Sequence, residues 1–279
     1  MSVDGATHSA TSDLLVDRSG GVLRLTINRP ERRNAMTWDV IRGMQAALAD
    51  ATDDPEVSVV VLAGTGDEAF CSGADLGSMG HGVATGAGSQ GAPATFLDQH
   101  NSRGELRVLF DQLWGLGKPT IAKVQGWAMA GGFGLALACD MVVASERARF
   151  GAPEINVGLW PFMITVPMVR SMPPKKALEL MLTGRQVDAA EAERIGFVTR
   201  VVSPEDLESA VDELATTLAA KSPVALKLGR DSFYRVWDMS SGEALAHLHA
   251  MLTLINQTED AKEGMAAFLE KRPPRWQGS

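Results

Sequence analysis

The chain has 279 residues, a formal net charge of -8 at pH 7 and 45% hydrophobic residues. This composition is ordinary for a globular protein with a hydrophobic core. The acidic balance argues against non-specific binding to nucleic acid, which depends on basic side chains that displace counterions from phosphates. No apolar run reaches the roughly 18 residues of a membrane helix, so we expect neither a nucleic acid nor a membrane as a partner.

The N-terminus and the cysteines indicate an intracellular protein. Residues 1–12 are small and polar, without the basic and apolar regions of a signal peptide, and we expect a disordered tail. Cys71 and Cys139 are too few for a disulfide framework and form no CxxC motif. A reducing cytoplasm is the simplest interpretation. The five histidines are scattered, so no metal site is predicted.

The first half of the chain alternates between strand and helix patterns. Residues 13–28 predict two short strands around a Gly-Gly turn, and Thr37 is a suitable N-cap for a helix over 38–51. The β-branched run at 57–62 predicts a strand that is buried on both faces. The Gly-, Ser- and Ala-rich segment 77–91 predicts a mobile loop. Further predicted elements are a helix over 101–116, strands at 119–125 and 141–144, a small-residue helix over 131–139, and a strand that begins at 149.

From residue 163 onward the pattern becomes helical, and strand-like runs nearly disappear after Val202. Alternating strands and helices imply a largely parallel sheet with helices packed outside it. We therefore expect an α/β fold of repeated ββα units over 13–200, followed by a helical region over 201–279. The predicted helices of this second half are 163–170, 174–182, 188–195, 205–220, 223–236, 241–256 and 259–270.

Two glycine-containing segments present backbone donors. Gly131-Gly132 runs into a helix N-terminus, where free N–H groups attract negative charge. Gly73-Ala74-Asp75 follows a buried strand, at a loop that also has free donors. Two such N–H groups that converge on one oxygen would form an oxyanion hole. Considered singly, a Gly-Gly pair also serves close packing, and a Gly-Ala-Asp tripeptide also forms a turn.

A third segment, RFGAPEINVGL over residues 149–159, carries a candidate acid or base. Glu154 follows Pro153 in apolar surroundings, which could raise its pKa and suit it to move a proton. By itself, a glutamate after proline is also typical of a solvated loop. The sequence contains no GxSxG elbow or Walker motif, and no dinucleotide fingerprint follows a predicted strand, which argues against a hydrolase of the α/β type and against nucleotide-dependent enzymes.

In this order and spacing, the three segments resemble the enoyl-CoA hydratase/isomerase (crotonase) family. The resemblance covers about residues 13–275. It includes Asn28-Arg29-Pro30 through Arg33-Asn34-Ala35, Leu182-Thr183-Gly184, and the closing stretch from Gly264 to Arg272. It implies a crotonase-like spiral of ββα units, whose C-terminal helical region completes a homotrimer or a dimer of trimers.

The resemblance also implies roles for single residues. The backbone N–H groups of Ala74 and Gly131 would hold the thioester carbonyl of an acyl-CoA and stabilise its enolate. No separate cofactor is implied, because coenzyme A is part of the substrate. Other positions that match the CoA or substrate contacts of the family are Arg33, Ala35, Ser72, Asp75, Leu76, Trp127, Pro153, Phe268 and Lys271.

The chain departs from the family at position 134. Hydratases carry one glutamate three residues after the oxyanion glycine and a second in the Pro-Glu pair, but here the first position is Gly134. A single glutamate, Glu154, can still move a proton between C2 and C4, which favours isomerisation of a 3-enoyl to a 2-enoyl thioester. Two alternatives stay open: a hydratase whose second acid is Asp98, Glu105 or Asp111, and a CoA-thioester binding protein without catalysis.

A second departure follows Gly158. Where the family often has a run of small residues, this chain has LWPFMI over residues 159–164. Bulky side chains there could reshape the acyl pocket or simply repack the core. Trp127, Trp160 and Phe162 are candidates for the lining of an acyl channel, although aromatic side chains also serve as ordinary core residues.

Overall fold

The computed structural model describes residues 12–75 and 95–279, apart from the side chains of residues 98 and 99. The strands of this part form two sheets. The expected tail over 1–12 and the expected loop over 77–91 lie almost wholly outside the described residues. The strands are β1 Leu14–Ser19, β2 Val22–Ile27, β3 Val59–Gly64, β4 Ala69–Cys71, β5 Thr120–Val124, β6 Trp127–Met129, β7 Met141–Ser145, β8 Arg149–Gly151, β9 Gln186–Asp188 and β10 Arg200–Val202.

Successive strands divide between the two sheets. The larger sheet has the order β1-β2-β3-β5-β7-β10, and the smaller has the order β4-β6-β8-β9. Strands β3, β5 and β7 are parallel neighbours in the first sheet. The strand that follows each of them is a parallel neighbour in the second sheet. The units β3–β4, β5–β6 and β7–β8 thus each add one strand to each sheet, which confirms the predicted spiral.

Strand β3 shows why the larger sheet is covered on both faces. Every residue of β3 is buried. Val60 and Leu62 face the main core, whereas Val59 and Val61 join a second cluster with apolar residues of the helix Leu207–Ala219. Because strand side chains alternate between faces, a continuous β-branched run can fill both cores.

The predicted helices form, most of them within two residues of the predicted bounds. Thr37 caps the first helix as expected, with its Oγ1 accepting a hydrogen bond from Val40 N at 3.2 Å. The helix at Phe96 begins five residues earlier than predicted. The described side chains of its first turn are exposed, so the sequence there lacks the apolar periodicity from which a helix start is predicted. The helices are α1 Trp38–Asp53, α2 Phe96–Gly115, α3 Gly131–Ala138, α4 Phe162–Ser171, α5 Pro174–Thr183, α6 Ala189–Ile195, α7 Leu207–Ala219, α8 Pro223–Val236, α9 Ser241–Ile255 and α10 Glu259–Glu270.

A buried ion pair attaches the C-terminal helices to the spiral. Arg230 on α8 donates from Nε to Asp140 at 2.8 Å, and its other nitrogens donate to the carbonyls of Leu113 and Trp114 at the end of α2. Tyr234 donates to the second oxygen of Asp140. A cation is favourable at a helix C-terminus, where unpaired carbonyls concentrate negative charge. Within residues 12–75 and 95–279, no helix has both the length and the apolar character needed to cross a bilayer.

Candidate active site

The three segments singled out from the sequence meet at one edge of the smaller sheet. Strands β4, β6 and β8 are parallel neighbours, so the chain leaves all three at the same edge. Residues 72–75 follow β4, residues 130–131 follow β6, and residues 152–154 follow β8. Parallel pairing therefore brings together residues that lie up to 82 positions apart in the chain.

The backbones at Gly73 and Gly131 approach each other closely. A Cβ added to Gly131 would lie 4.0 Å from the Cα of Gly73. A Cβ added to Gly73 would lie 3.3 Å from the nitrogen of Gly131 and 2.9 Å from the Cβ of Ala130, and Gly73 also has a φ of +101°. Only glycine fits position 73, because both the space and the backbone conformation exclude a side chain.

Local pairing leaves the N–H groups of Ala74 and Gly131 available. In the parallel bridge between Met36 and Ala74, Met36 N donates to Gly73 O and Asp75 N donates to Met36 O, each at 2.8 Å. The N–H of Ala74 therefore points away from this bridge. Gly131 begins α3, where an N–H has no acceptor within the helix. Within the described part of the chain, neither group donates to a backbone carbonyl outside its own element.

Ala130 makes a strained turn between β6 and α3. Its N–H donates to Gly151 O at 2.9 Å and so extends the pairing of β6 with β8. Its φ of 50° and ψ of −128° then reverse the chain into the helix. A non-glycine residue in such a conformation costs about 1–3 kcal/mol and persists only where the surrounding structure enforces it. The turn aims the first N–H groups of α3 toward the loop that follows β4.

Glu154 lies just after β8, in the short 3-10 helix Pro153–Val157. Its Oε2 is buried and has no hydrogen-bond partner among the described residues. Burial raises the pKa of this carboxyl, and a hydrogen bond from its own backbone N–H partly offsets the rise. A carboxyl with a raised pKa and a free oxygen is suited to take up and return a proton.

Position 134 has no room for a second carboxylate. Gly134 lies three residues after Gly131, on the same face of α3 and about 4.5 Å farther along its axis. A Cβ added to Gly134 would lie 2.2 Å from Ile164 Cγ2 and 3.1 Å from Phe110 Cζ. Ile164, on α4, is 2% exposed and Phe110, on α2, is 3% exposed. These two helices therefore pack directly on the backbone of α3 at this point.

The same apolar wall continues to Gly131. A Cβ added to Gly131 would lie 3.3 Å from Met36 Cε and 3.5 Å from Leu106 Cδ2. Leu106 and Phe110 are one turn apart on α2, so one face of that helix lines α3 from position 131 to position 134. Reasoning from the sequence missed these contacts. Its only related signal was the bulky segment 159–164, which contains Ile164.

Two of the three proposed substitute acids on α2 form ion pairs with arginines. The Oε1 of Glu105 lies 3.5 Å from Arg42 Nε, and the Oδ2 of Asp111 lies 2.7 Å from Arg107 Nη1. Both carboxylates belong to positions next to the face of Leu106 and Phe110, not on it. The side chain of Asp98 lies outside the described residues.

The residues predicted to line the CoA moiety pack beside the loop after β4. Ser72 N donates to Arg33 O at 3.0 Å, and the exposed Arg33 side chain pairs with Glu68 at 2.9 Å. Ala35 is buried. Leu76 lies outside the described residues.

Asp75 is held in an ion pair that the sequence did not indicate. Its Oδ2 lies 2.8 Å from Arg29, and both side chains are largely buried. Arg29 also donates to the carbonyl of Ala35 at 2.6 Å. This contact fastens the segment around residue 35 to the loop that carries Ala74, so Arg29 is a positioning residue for the candidate site.

The other predicted residues lie on β6, at the start of α4 and on α10. Trp127 is at the amino end of β6, about 13 Å along the chain from Gly131 at the usual rise of a strand. Trp160 packs against the main core, and Phe162 is 72% exposed. Phe268 is 83% exposed on α10, and Lys271 caps the C-terminal end of that helix. Pro153, in contrast, directly precedes Glu154 in the candidate site.

Comparison with known proteins agrees with this architecture. The family model described as enoyl-CoA hydratase/isomerase matches residues 17–279. The chain belongs to the enoyl-CoA hydratase/isomerase family. As a member, it is an enzyme that acts on acyl-CoA thioesters, and the three segments at the edge of the smaller sheet form the candidate active site of such an enzyme.

Individual members of the enoyl-CoA hydratase/isomerase family match nearly the whole chain. A probable enoyl-CoA hydratase of Mycobacterium tuberculosis is 36% identical over 264 residues, which cover 94% of this chain and 97% of the relative. The 2,3-dehydroadipyl-CoA hydratase of Escherichia coli is 36% identical over 270 residues, covering 96% and 99%. The crystal structure of an enoyl-CoA hydratase of Mycobacterium smegmatis superposes with a TM-score of 0.86 at 33% identity, covering 95% and 98%.

Proposed function

We propose that this enzyme moves a double bond of an enoyl-CoA from the 3- to the 2-position, with Glu154 as the single acid and base. The observation that carries the proposal is the packing at position 134. Ile164 and Phe110 fill the space that a second glutamate would need. Glu154, with a buried and unpartnered oxygen, is then the carboxylate available at this edge of the sheet among the described residues.

The proposed reaction needs one base and one oxyanion site. The Glu154 carboxylate removes a proton from C2 of the 3-enoyl thioester. The electron pair of the C–H bond moves toward the thioester, and the enolate oxygen is held by the N–H groups of Ala74 and Gly131. The protonated Glu154 then returns the proton to C4. The C3–C4 double bond becomes single, the C2–C3 bond becomes double, and no water is added.

Hydration is the second candidate, and the names of the relatives favour it. The M. tuberculosis and E. coli proteins are both named hydratases. Hydration forms a C–O bond at C3, so it requires a positioned water and usually a second acid or base. The ion pairs of Glu105 and Asp111 speak against both as donors, and the apolar wall above Gly134 leaves little that could orient a water.

Incubation with 2-enoyl-CoA and 3-enoyl-CoA of several chain lengths tests the proposal. Mass spectrometry distinguishes hydration, which adds a water, from isomerisation, which adds nothing, and chromatography resolves the double-bond isomers. We expect isomerised product from the parent and a loss of about 10²–10⁴-fold in rate for Glu154→Gln. Hydrated product from the parent would support the second candidate. Binding of acyl-CoA without turnover would indicate a binding protein instead.

The proposal extends to the assembly. Exposed apolar side chains on α9 and α10, among them Leu245, Leu252, Phe268 and Leu269, are 60–83% exposed. Exposed apolar patches commonly mark interaction surfaces, which supports a homotrimer or a dimer of trimers. Sedimentation should therefore give a mass of three or six chains of 29.7 kDa, and a stable monomer would contradict this part of the proposal.

Lys271 is proposed to bind a phosphate of coenzyme A as a point charge. Lys271→Ala should raise the KM for a CoA thioester and leave unchanged the KM for the matching pantetheine thioester, which lacks the nucleotide phosphates. An equal effect on both substrates would argue for a purely structural role. The two buried free thiols are in keeping with the proposed reducing cytoplasm.

A further inference from the structure

We propose that Ile164 determines the reaction specificity of this site, by excluding from the face of α3 both a second carboxylate and the water that it would orient. The inference rests on the proposed function, because it concerns which reaction the same site performs. The role of Ile164, which belongs to the bulky segment 159–164, is separate from the absence of a side chain at Gly134 and from the proton transfer by Glu154.

The geometry singles out Ile164. Of the atoms that a Cβ on Gly134 would meet, the nearest are Ile164 Cγ2 at 2.2 Å and Ile164 Cβ at 2.8 Å. Separations below about 3 Å are far inside the usual contact distance of carbon atoms. The Ile164 side chain of α4 therefore occupies the space that any side chain at position 134 would need. Restoring the glutamate by itself would not restore the second acid.

The side chains around position 134 are apolar and do not hold water. Ile164 and Phe110 are both buried, and Leu106 and Met36 continue the wall toward Gly131. A water needs two or more polar partners to be held in a protein interior. The side chains on this wall provide none, so the enolate formed here would be protonated by Glu154, and the resulting 2-enoyl thioester would meet no oriented water that could add to C3.

Truncation of Ile164 removes the closest contact at position 134 and keeps the rest of the wall. The Cβ that alanine retains, 2.8 Å from a Cβ on Gly134, must still shift slightly with α4. Replacement by alanine removes three carbon atoms, including the contacting Cγ2. Ile164→Val is the matched control, since valine keeps Cγ2 and loses only the terminal Cδ1. Met168→Ala is a second control, because Met168 lies one turn farther along α4 and is equally buried.

The first experiment measures the ratio of hydrated to isomerised product from a 3-enoyl-CoA in ¹⁸O-labelled water. We expect the parent's ratio in Ile164→Ala, Ile164→Val and Met168→Ala, because none of these changes adds a polar group that could hold a water. In Gly134→Glu combined with Ile164→Ala, the ratio should rise by about 10²-fold, the usual contribution of a positioned acid or base. Gly134→Glu alone should show no such rise.

Two outcomes would overturn the proposal. One is hydration by Gly134→Glu alone at the level of the double variant, which would mean that Ile164 blocks nothing. The other is a product ratio in the folded double variant that stays at the level of the parent, which would mean that removing the Ile164 side chain makes no room for a working second acid. If the double variant does not fold, the melting temperatures of Gly134→Ala with and without Ile164→Ala still test whether Ile164 occupies the position.

A stability measurement separates this proposal from the proposed function. Gly134→Ala should lower the melting temperature by about 5 °C, because the new methyl group collides with Ile164. Adding Ile164→Ala to it should cost less than Ile164→Ala costs in the parent. Additive losses would overturn the packing argument whatever the activity. Conversely, a parent without any Glu154-dependent isomerisation would refute the proposed function and leave the packing result standing.

Discussion

Gly132→Ala should damage the candidate active site through packing alone. A Cβ at this position would lie 2.2 Å from the carbonyl oxygen of Cys71 and 2.8 Å from its carbonyl carbon. Ordinary carbon–oxygen contacts are about 3.3 Å or longer, so the backbones must separate by about 1 Å. The third close atom is Cys71 Cβ at 2.7 Å. Two of the three atoms are main chain and the third is fixed to it, so no rotamer change can relieve the clash.

The displacement acts on both proposed oxyanion donors. Cys71 ends β4 and leads within three residues to Ala74, and Gly132 follows Gly131 directly. A shift of about 1 Å can cost about 10²-fold in rate, and an overpacked core loses about 1–3 kcal/mol. We therefore expect a kcat about 10²-fold lower and a melting temperature about 5 °C lower.

Gly229→Ala is the matched control. Gly229 lies inside α8, and an added Cβ would meet nothing within 4 Å. The same chemical change should there stabilise the protein by about 0.4–1 kcal/mol, because it removes freedom from the unfolded chain. Steady-state kinetics and thermal melts of both variants test the reasoning. It is refuted if Gly132→Ala melts and turns over like the parent, or if Gly229→Ala loses as much as Gly132→Ala.

Three further predictions concern charge and burial. Glu154→Gln should melt at a higher temperature than the parent near pH 7. Burial raises the folded-state pKa of this carboxyl, so the parent loses stability as the pH rises from the ordinary glutamate value of about 4.3 through that raised pKa. In thermal melts across pH the difference should vanish at low pH, and a less stable variant near pH 7 would contradict the desolvation argument. Asp140→Ala should lower the free energy of unfolding by about 3–5 kcal/mol in urea titrations, because Arg230 would be left buried without its partner. A loss below about 1 kcal/mol would show that the ion pair of Asp140 with Arg230 is dispensable for stability. Finally, burial raises the pKa of the Cys71 thiol to about 12. Mass spectrometry should therefore find Cys71 unmodified by a thiol reagent in the folded protein and modified after unfolding. Rapid labelling of Cys71 in the native chain would argue against its burial.

Much of the local structure follows from short stretches of sequence. The capped helix after Thr37, the buried strand β3 and the helices α8 and α10 all carry their signals within about fifteen residues: a capping hydroxyl, a β-branched run, or an apolar stripe with helical spacing. The replacement of a hydratase glutamate by Gly134 is also visible in the sequence, because it concerns the chemistry of one position.

The smaller sheet was largely missed from the sequence. Strands β4, β6 and β9 have three residues each, too few to show an alternation of apolar and polar positions. Their conformation depends on pairing with strands from distant parts of the chain. The positive φ of Ala130 is likewise set by the turn that joins β6 to α3. The sequence does not predict this conformation, because alanine ordinarily avoids a positive φ.

The sequence by itself determined which chemical groups this protein has: one candidate glutamate, two glycine-containing turns with backbone donors, and no side chain at position 134. Only the tertiary structure decided what surrounds them. Ile164 is 30 residues from Gly134, and Arg29 is 46 from Asp75, so neither contact leaves a periodic or local signal. Such contacts arise when separate helices and strands pack together. At position 134 they determine whether the absence of a glutamate leaves a water-filled gap or a dry apolar wall.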